Sequence, residues 1–314
     1  MAYGTIANYV PACIDTTDRK YKLSDYRIKS VTSVLKNGSS TLVAGTDYFV
    51  DYQRGVIELA RSVTMGNEDY LLCSFTGRPK DDDTLISTVA DIFVSFMTTH
   101  PGLAISELDL DTIYDTRIAR TAALGVLLTR QSSVGEVIRT LELSGRAYTD
   151  QNAEGRIGLR VAPTSAAEDA VLIGEHQIFD ISAAKKQADI FETAAVYYSE
   201  DYQQEDRWEI AAVVRSAIGH RSRIHVRLRV NTYLTTETDA LALATDLAAQ
   251  SGAQVFSAIL PLVMFGVRAG DIFKLTRSRF FNSTGAANET IVRALAVAKS
   301  PASRRAAVVF EVVE

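Results

Sequence analysis

The sequence of 314 residues has little of the chemistry on which catalytic and metal sites depend. It contains two cysteines, Cys13 and Cys73, and four histidines, and neither set has metal-ligand spacing. Two cysteines are also too few for a disulfide scaffold, so we expect two reduced thiols. The motifs GxGxxG, GxxxxGK[ST], HExxH and GxSxG are missing. The sequence therefore predicts no enzyme activity, no metal and no cofactor.

Long apolar runs are lacking as well. The longest, residues 255–267, is interrupted by Ser257, Pro261 and Gly266 and falls short of a membrane span. Residues 1–20 are polar and do not have the pattern of a signal peptide. The formal net charge of −5 argues against a dedicated nucleic-acid-binding protein. We expect no membrane insertion, and a soluble intracellular product or a part of a particle assembled inside a cell.

The composition, 47% hydrophobic and 23% charged, predicts a globular chain with two or three cores. Short alternating segments surround a few helices. Asn37-Gly38 marks a hairpin turn, residues 85–97 form an amphipathic helix, and Ser133-Val-Gly-Glu136 is a capping box that opens another helix. Residues 146–161 have the pattern of a hairpin. Thr236 and Asp239 open a further helix, with Leu241, Ala244, Leu247 and Ala248 as its apolar stripe.

These signals predict a mainly β (α+β) fold with two small antiparallel β-barrel-like domains and an intervening helix-plus-hairpin module. We expect an N-terminal arm and small β domain at 1–83, with the arm extended over residues 1–27. The helical and hairpin module follows at 84–165. The C-terminal β-barrel domain, with one packed helix, covers 166–314.

The most distinctive stretch is RWEIAAVVRSAIGHRSRIHVRLRV, residues 207–230. Its alternation predicts a hairpin that turns at 218–220, with one apolar face and one basic face. In that hairpin Glu209 lies opposite Arg229, a favourable pair, and Arg215 lies opposite Arg223. The basic face is formed by Arg215, Arg221, Arg223, His225, Arg227 and Arg229.

A basic face of this kind has three interpretations: a solvated surface, a contact with a neighbouring protein subunit, or a contact with nucleic acid. An acidic patch around a short turn offers a possible partner on another copy. Its members Glu107, Asp109, Asp111 and Asp115 have no spacing that forces their oxygens onto one metal ion. We therefore expect a subunit interface formed by the basic residues together with Glu107, Asp109 and Asp111.

Four passages make the chain resemble the tail hub, or baseplate hub, proteins of tailed bacteriophages and of related contractile and gene-transfer particles. They are NGSSTLVAGTDYFVDYQRGVIEL; SVGEVIRTLELSGRAYTDQNAEGRIGLRVAP; ADIFETAAVYYSEDYQQEDRWEI; and VRAGDIFKLTRSRF with the closing VRALAVAKSPASRRAAVVFEVV. None is a chemical signature alone, and their order carries the resemblance, which spans about residues 28–314.

The resemblance implies a structural virion protein without enzymatic activity. Three copies would form a ring at the tail tip that joins the tail tube, or a distal tail protein, to a central spike or fibre. The genome would pass through the ring without specific binding. Two alternatives stay open, a receptor-binding tail-tip protein with exposed aromatic side chains and a cell-wall-degrading one with a pair of acids in a groove.

Overall fold

The structure, a computed structural model, describes residues 1–129, 132–152, 154–161, 170–183, 191–202, 207–209, 213–215, 227–250, 255–261, 267–268, 270–281, 287–300 and 304–312. The fold is mainly β, with four α-helices within these ranges. This confirms the fold class that the sequence predicts.

The N-terminal part of the chain consists of short strands: β1 (Ala2–Tyr3), β2 (Thr5–Tyr9), β3 (Ala12–Asp15), β4 (Lys20–Lys22), β5 (Ser30–Lys36), β6 (Ser40–Thr41), β7 (Tyr48–Asp51), β8 (Val56–Leu59) and β9 (Leu71–Thr76). Two antiparallel sheets form, in the orders β2-β9-β5-β6 and β3-β4-β8-β7. Ile6, Ile57 and Phe75 are fully buried in one core cluster. Burying each of these side chains stabilises the fold by roughly 1.5–3 kcal/mol.

The expectation of an extended arm over residues 1–27 is wrong. β2 pairs with β9, and β1 pairs with a distant strand, β10 (Val126–Leu127). Ala2, Tyr3 and Ile6 are consequently 0% exposed. Strands of two to five residues are too short for a clear alternating pattern, and their partners lie far along the chain.

The turn at Asn37-Gly38 is confirmed. Both residues have positive φ, 53° and 69°, as a type I′ turn requires. The Ser39 amide donates to the Lys36 carbonyl over 3.2 Å and closes the turn between β5 and β6.

The middle of the chain contains α1 (Val89–Thr99), a 3-10 turn (Ile105–Glu107), α2 (Leu110–Ala119), α3 (Val134–Gly145), and the hairpin strands β11 (Ala147–Gln151) and β12 (Ile157–Val161). The capping box is confirmed, with Ser133 and Glu136 exchanging side-chain to backbone hydrogen bonds of 3.2 and 3.0 Å. α1 begins later than expected because Thr88, rather than a residue near 84, caps its first turn. The sequence did not predict α2.

α3 ends at Ser144-Gly145, where the sequence pattern also places the end of the helix. Arg146 adopts the left-handed conformation at the C-cap, with φ 51°. Gly145 is the last helical residue, and a Cβ built on it would lie 2.4 Å from Cγ2 of Val89. Gly145 is therefore required for the close packing of α3 on α1.

The remaining elements are β13 (Val171–Ile173), a second 3-10 turn (Glu175–Gln177), β14 (Asp180–Ala183), β15 (Thr193–Asp201), β16 (Arg207–Glu209), β17 (Val213–Arg215), β18 (Arg227–Asn231), α4 (Glu237–Gln250), β19 (Val255–Pro261), β20 (Ile272–Phe281), β21 (Ala287–Ser300) and β22 (Arg305–Val312). Six of the strands form one sheet in the order β13-β20-β21-β22-β19-β14. Its core cluster includes Leu275, Val308 and Phe310, all fully buried.

α4 packs in a third core cluster rather than in the cluster of the six-stranded sheet. That cluster joins α1, α3, the hairpin, Val196 of β15, and Ala240, Leu243 and Ala244 of α4. The expected apolar stripe is partly wrong, because Leu241 is 48% exposed. The domain boundaries at 83/84 and 165/166 stay predictions.

Candidate subunit interface

Helix α2 is fixed on the β11–β12 hairpin by close packing and hydrogen bonds. A Cβ on Gly158 would lie 2.3 Å from Oγ1 of Thr112, so only glycine allows the helix to approach this closely. The buried Thr116 hydroxyl donates to the Leu159 carbonyl over 2.6 Å. Ile113 is 2% exposed on the same side. The helix is thus held as a rigid element with its other side outward.

The outward side of α2 carries a line of large apolar side chains. Leu110, Tyr114 and Ile118 are 48%, 58% and 63% exposed, and their spacing of four residues places them on one face of the helix. Ile105, 59% exposed, precedes them. We call Ile105, Leu110, Tyr114 and Ile118 the apolar line. The spacing of four residues is visible in the sequence, but acidic residues lie among these apolar residues, and the segment was therefore interpreted as an acidic patch around a turn.

Acidic side chains run parallel to the apolar line. Glu107, Asp111 and Asp115, which we call the acidic line, are again spaced by four residues, and all three are exposed. The Glu107 carboxylate accepts a 2.7 Å hydrogen bond from the Ala104 amide. Asp111 and Asp115 have no ion-pair partner in the part of the chain that the structure describes.

Asp109, which the sequence grouped with these acids, points inward instead. Its carboxylate accepts a 3.1 Å hydrogen bond from Asn152 and lies 3.9 Å from the Arg268 guanidinium. The structure therefore brings Glu107 and Asp111 onto the exposed surface and directs Asp109 into an internal ionic cluster.

The predicted hairpin of residues 207–230 does not form in the way expected. β18 pairs with β15, in the parallel sense, so Arg229 lies opposite Ala195. Glu209 of β16 lies opposite Tyr198, and Arg215 of β17 lies opposite Thr193. β17 and β18 both pair with residues 193–195 of the nine-residue strand β15, so they lie on its opposite edges, which separates the two halves of the expected hairpin. Local alternation cannot reveal such an intervening strand.

The basic residues that the structure describes nevertheless lie on one face of this sheet. Directly paired residues point to the same side, which gives the rows Arg215–Thr193–Arg227, Val213–Ala195–Arg229 and Tyr197–Asn231. We call this surface the arginine face. Arg227 and Arg229 are exposed, and neither has an ion-pair partner among the described residues. Arg221, Arg223 and His225 lie outside the described residues.

Arg215 is the one described arginine of this face that is bound within the chain. Its Nε donates to Glu192 over 3.0 Å, and its side chain remains 58% exposed. On the opposite side of the sheet, Ala194 and Val196 are buried, and Val196 packs in the core cluster that contains α4. The sheet thus has one apolar face in the core and one basic face outward, as the alternation predicted.

A second surface feature is an open groove of about 960 Å³ on the β3-β4-β8-β7 sheet. Phe49 and Tyr52 line it at 55% and 45% exposure, together with Ile14, Lys20, Lys22, Asp51 and neighbouring residues. Both aromatic side chains therefore lie at the surface rather than in the core.

The described ranges contain no cluster of three or more His, Cys, Asp or Glu side chains arranged to bind a metal ion. Within the same ranges, no helix has the length and apolar character needed to cross a membrane.

Comparison with known proteins gives a match in structure alone. No protein-family model and no curated protein sequence matches the chain. Among solved structures, a chain in the virion of a native gene transfer agent particle superposes with a TM-score of 0.63 at 14% identity, over 100% of this chain and 84% of that chain. Weaker likenesses are a tail protein from Neisseria meningitidis MC58 (TM-score 0.44, 12% identity, 99% and 97% covered) and prophage tail protein gp18 from Listeria monocytogenes EGD-e (0.41, 11%, 92% and 90%). The chain therefore has, over its whole length, the fold of a protein from a gene transfer agent virion.

Proposed function

We propose that this chain is a structural virion protein of a phage-type tail, and that it forms the hub ring at the tail tip. The single observation that carries the proposal is the fold shared over the full chain with a gene transfer agent virion protein. The order of the four sequence passages, which resembles that of hub proteins, supports the same role. The ring joins the tail tube or a distal tail protein to a central spike or fibre.

The ring is a homotrimer. Two surfaces of opposite charge support this assembly, because the acidic line and the arginine face carry charges without ion-pair partners among the described residues. Each surface lies on a rigid element, α2 on its hairpin and β18 on β15. Opposite charges on two different surfaces of one chain favour contact between copies.

The chain takes part in no catalysis and lets the genome pass without holding it. Net charge −5 supports this, since a negative wall repels duplex DNA and the arginines are used between subunits. We expect negligible binding of the purified chain to duplex DNA at physiological salt. Submicromolar affinity with a steep salt dependence would instead assign the arginine face to the DNA channel.

Immunogold electron microscopy tests the location. Antibodies raised against the chain are applied to particles released by the producing cells, with pre-immune serum as the control. The proposal predicts gold at the end of the tail that is distal to the head. Label along the tail, on the head, or on no particle would contradict it.

A second candidate is receptor binding at the tail tip, favoured by the groove on the N-terminal sheet. Exposed aromatic rings beside lysine and carboxylate groups are suited to sugar rings, which stack on aromatic faces and bond polar side chains. Binding of labelled host cell-wall glycans that is lost in Phe49→Ala and Tyr52→Ala would support this function. Clearing on a cell-wall zymogram would support the degradative alternative.

A further inference from the structure

The apolar line of α2 has no cover within the described chain. Single exposed apolar residues are ordinary, but a contiguous line at roughly half exposure or more marks an interaction site. A helix that is apolar on its inner side at Ile113 and on its outer side at Leu110, Tyr114 and Ile118 gains stability when both sides are buried. The surface that covers it must also accommodate the neighbouring acidic line.

The arginine face has the complementary charges at a matching spacing. Asp111 and Asp115 are one helical turn apart, about 6 Å along the axis. Arg227 and Arg229 are two strand residues apart, about 7 Å. Two carboxylates and two guanidinium groups can therefore pair in register when the helix lies along the strand.

The shape of the arginine face also suits a helix. The central strand contributes short side chains, the half-buried Thr193 and the buried Ala195, whereas Arg227 and Arg229 extend from the neighbouring strand. Val213, 48% exposed on the other edge, adds apolar surface. Arginine stems cover apolar area, and a guanidinium group can stack on the ring of Tyr114.

We propose that α2 of one copy packs lengthwise on the arginine face of the next copy, with Asp111 and Asp115 paired to Arg227 and Arg229. The apolar line covers Thr193 and Val213. This inference rests on the proposed homotrimer and specifies its contact. Because the two surfaces differ, the contact is head-to-tail, the type that generates a ring when the rotation closes.

Charge exchange tests the pairing by sedimentation and native mass spectrometry on the full chain. Asp111→Arg/Asp115→Arg and Arg227→Asp/Arg229→Asp should each weaken self-association at least about tenfold, because like charges then face each other. All four changes in one chain should restore trimers. Mixing the two double variants should restore association only in part, because two of the three contacts in any mixed ring are then complementary and the third joins two copies of one variant with like charges. Arg54→Asp, at a distant exposed arginine, is the control and should leave assembly unchanged.

Disulfide trapping decides whether the two elements touch. In a Cys13→Ser background, Tyr114→Cys/Val213→Cys should give a ladder of up to three chains on a non-reducing gel after mild oxidation. Tyr114→Cys/Val43→Cys is the matched control, because Val43 is 57% exposed on neither surface. If trimers form but Tyr114→Cys/Val213→Cys gives no ladder, or if the four charge changes together do not restore trimers, the proposed contact is wrong and the proposed homotrimer stands. A chain that stays monomeric at its highest attainable concentration and gives no ladder would overturn both the contact and the homotrimer.

Discussion

Arg160 and Asp271 form a 3.0 Å ion pair that connects the β11–β12 hairpin to the turn that precedes β20 of the six-stranded sheet. Arg160 also lies 3.6 Å from Asp150, and Arg268 lies 3.4 Å from the same carboxylate. Asp109, at the start of α2, approaches Arg268 in this cluster. The cluster therefore ties α2, the hairpin and the C-terminal sheet together.

Removing Arg160 should destabilise the chain. In Arg160→Ala the half-buried Asp150 and Asp271 lose a cation, and we expect the free energy of unfolding to fall by about 1–3 kcal/mol. Arg156→Ala is the matched control, because the exposed Arg156–Glu154 pair contributes only about 0–1 kcal/mol. Denaturant unfolding measures both. Equal losses in the two variants would show that the cluster has no special role.

The packing of α3 on α1 should depend on Gly145. Gly145→Ala places a methyl group against Val89 and should lower the free energy of unfolding by about 1–3 kcal/mol. Gly135→Ala, in the same helix with nothing within 4 Å, should leave it unchanged or raise it by up to about 1 kcal/mol. If Gly145→Ala is as stable as Gly135→Ala, the close approach of the helices is not required.

Features that depend on neighbouring residues could be predicted from the sequence. The positive φ angles at Asn37-Gly38, the capping box at Ser133 and the hairpin at residues 146–161 all have local causes, and all are confirmed. The alternation also predicted five strands of the six-stranded sheet, near 171–173, 255–260, 272–277, 290–298 and 305–313, whereas β14 was not predicted.

Features that depend on distant partners could not be predicted. β1 pairs with β10, which lies far from it along the chain. β18 pairs with β15 rather than with the strands that precede it in the expected hairpin. In α4, alanines and leucines occupy several faces, so periodicity alone could not show that Leu241 is exposed. For the interface, the sequence identified the charges at Asp111, Arg227 and Arg229 but missed the apolar line between the acids.

The two cysteines should react differently. Cys13 is exposed and Cys73 is buried, and burial raises the pKa of the Cys73 thiol from 9.0 to about 12. Iodoacetamide at neutral to mildly alkaline pH should therefore modify one thiol per folded chain, because the thiolate is the nucleophile. Mass spectrometry should find the label on Cys13 and none in Cys13→Ser. Rapid labelling of Cys73 in the folded chain would contradict its burial.

The same shift makes stability depend on alkaline pH. The folded chain keeps the Cys73 proton that the unfolded chain releases above about pH 9, so this stabilisation is complete below pH 9 and is lost toward pH 12. The slope from one thiol is at most about 1.4 kcal/mol per pH unit. Cys73→Ala should be less stable at neutral pH but decline less steeply between pH 9 and 11. Parallel declines would exclude the thiol as the cause.

The central claim is that three copies form a closed ring at the tail tip, and the most direct measurement is the copy number in intact particles. Amine crosslinking of purified particles is followed by a denaturing immunoblot against the chain. The proposed ring predicts a ladder that ends at three chains of 34.3 kDa each. A ladder that continues past three chains would indicate a tube subunit, and an uncrosslinked single chain would indicate a monomer; either result would contradict the ring.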